Sequence, residues 1–324
     1  MSNPWELMYE DFVWIFSHPY EVLIEFAFRN TILAMHFDYI KDEKKPKAEF
    51  NLLYWSNWRG LLSQILLFFI TLPIFFVYPY FAMKALERPY VRMPALPTTD
   101  EERKIDEKEK WFFINGVMVN EDWLDENCKY LEARFGKKVI GILNSSYGLF
   151  WDVVETVLQR SFEIDTMSVR QATNYILPSL RDKKTETVRL ISHSQGGVLA
   201  NLVIKRLYTE LSYTKEQGNM RKLSVHTFAN ISREFRNPDG LINCIEHYAN
   251  RRDPVAIRGI INNINDKRTI GEIFINDVRN GGKGHLFNSF YSLNLDDYFS
   301  ARGGDAVLLN LPGKVDHLPI KVVI

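Results

Sequence analysis

The residues with the clearest chemical potential are Ser192-His193-Ser194-Gln195-Gly196-Gly197, between the apolar stretch TVRLIS and a segment with helical spacing. A serine on so sharp a strand-to-helix turn presents its hydroxyl beside the free N–H groups of a helix N-terminus. The turn needs small side chains two residues before and after the serine, and Ser192 and Gly196 supply them. A helix cap accounts for a serine at this place, but not for the whole HSQGG run after a buried strand. A serine hydroxyl is a weak nucleophile alone. It needs a histidine base steered by a carboxylate, and the chemistry is then acyl transfer through a covalent intermediate. His193 is not the candidate base, because a side chain adjacent on this turn points away from the serine. His226, His247, His285 and His317 follow Ser194 in the chain.

The elements that must position these groups alternate in type. Trp111–Asn115, Lys138–Leu143, Thr187–Ser192, Leu223–Ala229, Ile242–Ala249 and Thr269–Ile275 read as strands. Glu121–Phe135, Leu149–Phe162, Ser168–Leu180 and Gly196–Tyr213 read as helices, with apolar residues at three- and four-residue spacing. Ala306–Leu311 is a further strand-like run. Strands separated by helices imply a mostly parallel sheet flanked by helices on both faces.

In order along the chain stand FFING, a loop from Asn144 to Gly148, HSQGG, HYANRRDPVA and GKGHLFNSFY. This pattern resembles lipase-like serine α/β-hydrolases, and is particularly similar to membrane-associated hydrolase-like proteins. HSQGG resembles their nucleophile elbow, with Ser192 in place of the usual glycine. The resemblance implies an α/β-hydrolase fold over about Trp111 to Leu293 and ester or lipid hydrolysis. It also implies the chain order nucleophile, acid, base. Asp253, just past the strand CIEHYA, is then the acid, although an aspartate before proline also forms turns. His226 and His247 lie inside strands and are assigned to the sheet. His285, on a glycine-rich loop after a late strand, is the base, with His317 as its competitor. The oxyanion hole requires two backbone donors. Gln195, next to the nucleophile, supplies one, and by resemblance Val117 of the Asn115-Gly116-Val117 turn supplies the other.

The N-terminal part has a different character. Residues 60–83 carry no charge, and as a helix would extend about 36 Å, enough to cross a bilayer core of about 30 Å. Trp55 and Trp58 precede this segment, and Tyr78 and Tyr80 close it, as interfacial aromatics do. Tyr20–Phe37 is apolar but interrupted by Glu21, Glu25, Arg29 and His36, which suits an in-plane amphipathic helix. The opening MSNPWELMYED has no basic region of a signal peptide. The expected organisation is a membrane-associated helical region over 1–92, a charged linker over 93–110 and a catalytic domain over 111–324.

With 40 basic and 40 acidic residues in 324, the chain lacks the basic excess of a nucleic-acid binder. Cys128 and Cys244 are too few for a disulfide framework or a zinc ribbon and are expected as free thiols. No metal cluster, phosphate loop or dinucleotide fingerprint is present in the sequence, so no cofactor is expected. Two glycosylation sequons begin at Asn144 and Asn230. The combined expectation is a membrane-anchored serine esterase acting on a lipid or other acyl ester, with acyl transfer as a variant of the same chemistry. The alternative is a non-catalytic membrane protein that uses a hydrolase-like domain for binding.

Overall fold

The computed structural model describes residues 3–18, 55, 57–59, 62, 66, 89–95, 107–146, 149–277 and 282–313. Their strands are β1 (Val91–Arg92), β2 (Glu109–Ile114), β3 (Val139–Ile142), β4 (Thr187–His193), β5 (Leu223–Phe228), β6 (Cys244–Asn250), β7 (Glu272–Asn276) and β8 (Tyr298–Ser300). They form one sheet in the order β1-β3-β2-β4-β5-β6-β7-β8. Strands β2 to β7 are parallel to their neighbours, while β1 and β8 close the two edges antiparallel. The long helices are α1 (Pro4–Ser17), α2 (Glu121–Phe135), α3 (Leu149–Phe162), α4 (Met167–Arg181) and α5 (Gln195–Tyr213).

Side-chain alternation divides the core into two layers. In β2, Trp111 and Phe113 pack with Leu124 and Leu131 of α2 on one face, while Phe112 and Ile114 pack with residues of α4 and α5 on the other. A strand buried on both faces reads as a continuous apolar run, which is why WFFI is visible as a strand. The fold is therefore α/β, with a mostly parallel sheet between helices.

Two differences from the sequence expectation have a common cause. Strand β2 begins at Glu109, inside the charged run, because Glu109 pairs with Arg189 at 2.7 Å and Lys137 at 2.6 Å. Likewise Val91–Arg92 joins the sheet edge, where Arg92 bonds Asp125 at 2.9 Å and the Val139 carbonyl at 2.8 Å. Charges that look solvated in the sequence are here neutralised by partners distant in the chain. Ala306–Leu311 is a turn rather than a strand. The Val307 and Leu308 N–H groups donate to the Glu246 carboxylate, so no neighbouring strand is needed to satisfy them.

Helix α1 begins with Pro4 at its first position and Asn3 as cap, the Asn3 side chain accepting from the Trp5 N–H at 3.1 Å. It packs on α3, with the Trp5 and Phe162 rings edge to face at 4.9 Å. Trp5, Tyr9, Val13 and Phe16 fall on one face of α1, and all are exposed. Trp55, Trp58, Leu62 and Leu66 are helical and exposed as well. Among the described residues no helix is long and apolar enough to cross a membrane. Apart from Leu62 and Leu66, the span expected over 60–83 lies outside the described residues, as does the in-plane helix expected over 20–37.

Candidate active site

Strand β4 ends against Ser194, whose backbone takes φ 59° and ψ −123°. A non-glycine residue there carries about 1–3 kcal/mol of strain, which the surroundings must hold. They do so through the Ser194 N–H, which donates to the Phe228 carbonyl at 2.8 Å, and the Ser194 carbonyl, which accepts from Gly197 N–H at 2.9 Å. Gly196 is required at this corner, since a Cβ there would stand 2.5 Å from the Ile114 carbonyl oxygen. The missing side chain lets the N-terminus of α5 abut the end of β2.

The structure brings Ser194, Asp253 and His285 together. His285 Nε2 lies 3.0 Å from Ser194 Oγ, and His285 Nδ1 lies 2.8 Å from Asp253 Oδ2. A carboxylate only accepts, so Nδ1 carries the proton and Nε2 is left to accept from the serine hydroxyl. All three side chains are buried. Asp253 follows β6 and caps the helical turn Pro254–Ala256, accepting from the Val255 N–H at 2.9 Å through Oδ1. Its Oδ2 also accepts from the Tyr291 hydroxyl at 2.7 Å. Burial, then the Asp253 charge, push the Tyr291 hydroxyl far above its ordinary pKa, so it remains a donor.

Gln195 is the first residue of α5, where backbone donors have no partner within the helix. The turn at Gly116 passes directly against the serine: a Cβ on Gly116 would lie 2.6 Å from Ser194 Cβ. Val117, next in that turn, lines the same cavity as Ser194. The turn is held by Asp152, which accepts from Met118 N–H at 2.8 Å, and by Asn115, whose side chain bonds the Gly116 and Asn144 carbonyls at 2.8 and 3.0 Å.

Among the other histidines, His226 bonds Glu246 at 2.8 Å, and His247 lies 2.7 Å from the Thr227 hydroxyl and 3.0 Å from the Ile270 carbonyl. Both are in the sheet, as expected. His317 lies outside the described residues. Cys128 and Cys244 are free thiols. The sequon residues Asn144 and Asn230 are buried, and their side chains are used inside the fold. Asn144 donates to Gln195 Oε1 at 2.6 Å, and Asn230 accepts from Ser232 N–H at 2.8 Å.

Several supporting groups are absent from the sequence reading. His193 Nε2 donates to the His285 carbonyl at 2.8 Å, and the two rings lie 4.7 Å apart. Burial and the neighbouring His285 hold His193 well below its ordinary pKa, in the neutral form. Asn250 joins the loops of Asp253 and His285 by donating to the Gly284 and Phe290 carbonyls at 3.1 and 3.0 Å. Asn250 and Tyr291 belong to the HYAN and FNSFY runs, so the motifs contained these residues but not their bonds. The largest omission is α1. Asp11, Trp14 and Ile15 form one wall of a cavity of about 120 Å³ whose other wall includes Val117, Val157 and Ser194.

Residues 114–233 are similar to the family described as "Putative serine esterase (DUF676)". The domain is serine-hydrolase-like. The matched stretch runs from the end of β2 to just past β5 and includes Gly116, Val117, Ser194 and Gln195, whereas Asp253 and His285 follow it. No curated protein matches the chain.

Proposed function

We propose that this protein is a serine hydrolase of the α/β-hydrolase type that cleaves a carboxylic ester of a lipid. The observation that carries the reading is the continuous hydrogen-bonded path from Ser194 Oγ through the His285 ring to Asp253. In the first half-reaction His285 Nε2 takes the serine proton as Oγ attacks the ester carbonyl. Asp253 holds the ring in the productive tautomer and stabilises the imidazolium. The Gln195 and Val117 N–H groups receive the negative charge that develops on the carbonyl oxygen. The C–O bond to the alcohol then breaks, the leaving alkoxide receives the proton from His285, and the acyl group stays on Ser194. Water, deprotonated by the same nitrogen, releases the acid; an alcohol in place of water would give acyl transfer.

The lipid assignment rests on the cavity and on α1. Val117, Val153, Val157, Ile231 and Val255 line the space beside Ser194, a surface suited to an acyl chain. The exposed face of Trp5, Tyr9, Val13 and Phe16 lies on the outside of the helix that walls this cavity. An amphipathic helix with an outward aromatic face suits a membrane surface. With the uncharged run over 60–83, this supports a membrane-anchored location. The N-terminal 1–92 then associates with the membrane through 60–83 while contributing α1 and β1 to the hydrolase domain, whose remaining strands begin at Glu109.

The test is labelling of the full chain with a fluorophosphonate probe, followed by a screen of lipid esters. Wild-type protein is expected to label and S194A is not. Equal labelling of S194A would exclude Ser194 as the nucleophile.

A further inference from the structure

Three arginines from separate parts of the chain converge on Asp11, which lines the cavity that contains Ser194. Arg160 lies on α3, Arg233 follows β5, and Arg258 follows the acid loop. Arg160 and Arg258 line that cavity directly. All three turn toward one carboxylate, Asp11 of α1. Arg160 and Arg258 reach its Oδ1 at 2.7 and 2.8 Å, and Arg233 reaches its Oδ2 at 3.0 Å. Glu10, also on α1, stands 3.3 Å from Arg233 at the rim.

This cluster is unbalanced. Three guanidiniums face one buried carboxylate and one exposed carboxylate, and both acids belong to α1. The Nε donors of Arg160, Arg233 and Arg258 are all buried without a hydrogen-bond partner. The Arg160 side chain itself is only 4% exposed. Burial works against Asp11, and with Arg233 and Arg258 nearby brings Arg160 down to about 10. A buried cation with an unused donor, as Arg160 is, is costly unless an anion completes it, and the Nε atoms of the partly exposed Arg233 and Arg258 are likewise without an acceptor. A carboxylate offers two oxygens; a phosphate offers more acceptors and more charge, and matches guanidinium forks well. Two of these forks border the cavity beside the nucleophile, so a molecule with its ester at Ser194 can extend its anion to the arginines.

We infer that Arg160, Arg233 and Arg258 form an anion subsite that takes the phosphate group of an acyl-ester lipid, and that Asp11 of α1 competes with that phosphate for the same three guanidiniums. The inference rests on the esterase reading for calling the ligand a substrate. A phosphate that displaces Asp11 loosens the ion cluster that anchors α1, so entry of an anionic lipid and opening of the cavity are coupled. The outward aromatic face of α1 is then free to lie on the lipid surface that delivers the molecule.

The experiment uses the full chain carrying S194A, which separates binding from chemistry. Decyl phosphate, decanol and inorganic phosphate are titrated by calorimetry. Decyl phosphate is expected to bind at least ten-fold more tightly than decanol, with inorganic phosphate weaker than decyl phosphate. Adding R233Q or R258Q is expected to remove most of that preference, and adding D11N to tighten decyl phosphate several-fold. R258K, which keeps the charge without the fork, is expected to retain part of the preference and serves if R258Q does not fold. Equal affinity for the two amphiphiles would overturn the subsite, as would a preference that survives both arginine substitutions. Inorganic phosphate bound as tightly as decyl phosphate would overturn the lipid assignment. Fluorophosphonate labelling of the wild-type chain reports separately on the esterase reading. Labelling without phosphate preference removes the subsite alone, and phosphate preference without labelling removes the esterase.

Discussion

At the scale of single residues, the geometry around Ser194 depends on how firmly Asp253 is held. Asp253 has three donors: the Val255 N–H, the Tyr291 hydroxyl and the His285 ring. Tyr291 is fully buried and its hydroxyl also accepts from the Asn250 N–H at 3.2 Å. Y291F removes one hydroxyl and keeps the ring that packs near Phe228 and His193. A hydrogen bond to a charged group contributes about 1.5–3 kcal/mol. On the proposed mechanism Y291F should lower kcat about ten-fold or more with KM nearly constant, measured on a soluble ester. D253N should cost more, because it puts the wrong tautomer on His285. A Y291F variant with unchanged kcat would show that the remaining two donors suffice.

At the scale of elements, the junction of β2, β4 and α5 decides whether Ser194 can hold its strained backbone. The clearest point is Gly196, where an added methyl meets the backbone oxygens of Ile114 at 2.5 Å and Asn115 at 2.8 Å. These atoms lie at the end of a central strand and cannot move aside as a flexible side chain could. G196A is therefore expected to destabilise the domain by about 1–3 kcal/mol or more and to abolish fluorophosphonate labelling. Gly218, exposed on the 3₁₀ helix Gln217–Lys222 with open space around it, is the matched comparison, and G218A should change little. Denaturant melts of the two variants measure the difference. Helix α1 is a different type of element, held to the domain largely by charge at Asp11 and by contacts with α3. Its inner face completes the cavity, while its outer face leaves four apolar residues exposed.

At the scale of the molecule, three buried histidines couple stability to pH. Burial holds His193, His226 and His247 below their ordinary pKa, His247 at about 4. Between the folded and unfolded values the unfolded chain binds more protons, so stability rises with pH. Each such group contributes stability that is complete above about pH 6.5 and declines as pH falls toward the folded value. The slope is about 1.4 kcal/mol per pH unit per histidine. Glu246 adds a loss at lower pH. Burial opposes ionisation of this carboxyl, but the His226 ring and the Val307 and Leu308 N–H groups outweigh it and hold it at about 2, so its contribution is present above about pH 4.5 and declines below. The melting temperature is expected to fall steeply from pH 7 to pH 5, and H247Q, if it keeps the Thr227 and Ile270 contacts, should flatten that fall. A melting temperature independent of pH over this interval would contradict the buried neutral histidines.

What the sequence determined by itself was most of what local pattern governs, the strand-like run Ala306–Leu311 excepted. Continuous apolar runs specify strands buried on two faces, and three- to four-residue spacing specifies helices. Leu149–Phe162 and Glu121–Phe135 have the same limits in the structure as in the sequence reading. HSQGG marks the turn at Ser194 because the steric demands there involve residues within two positions of the serine. The tertiary structure alone decided what depends on pairs distant in the chain. Glu109 and Arg92 enter the sheet because their partners lie 80 and 33 residues away, and no local pattern signals such compensation. His285 meets Ser194 across 91 residues and Tyr291 meets Asp253 across 38. The position of α1 over the cavity was not legible either, because it rests on Asp11 meeting Arg160, Arg233 and Arg258. An aspartate in an amphipathic helix looks like an ordinary solvated charge, and its burial follows only from three guanidiniums that folding brings to one place.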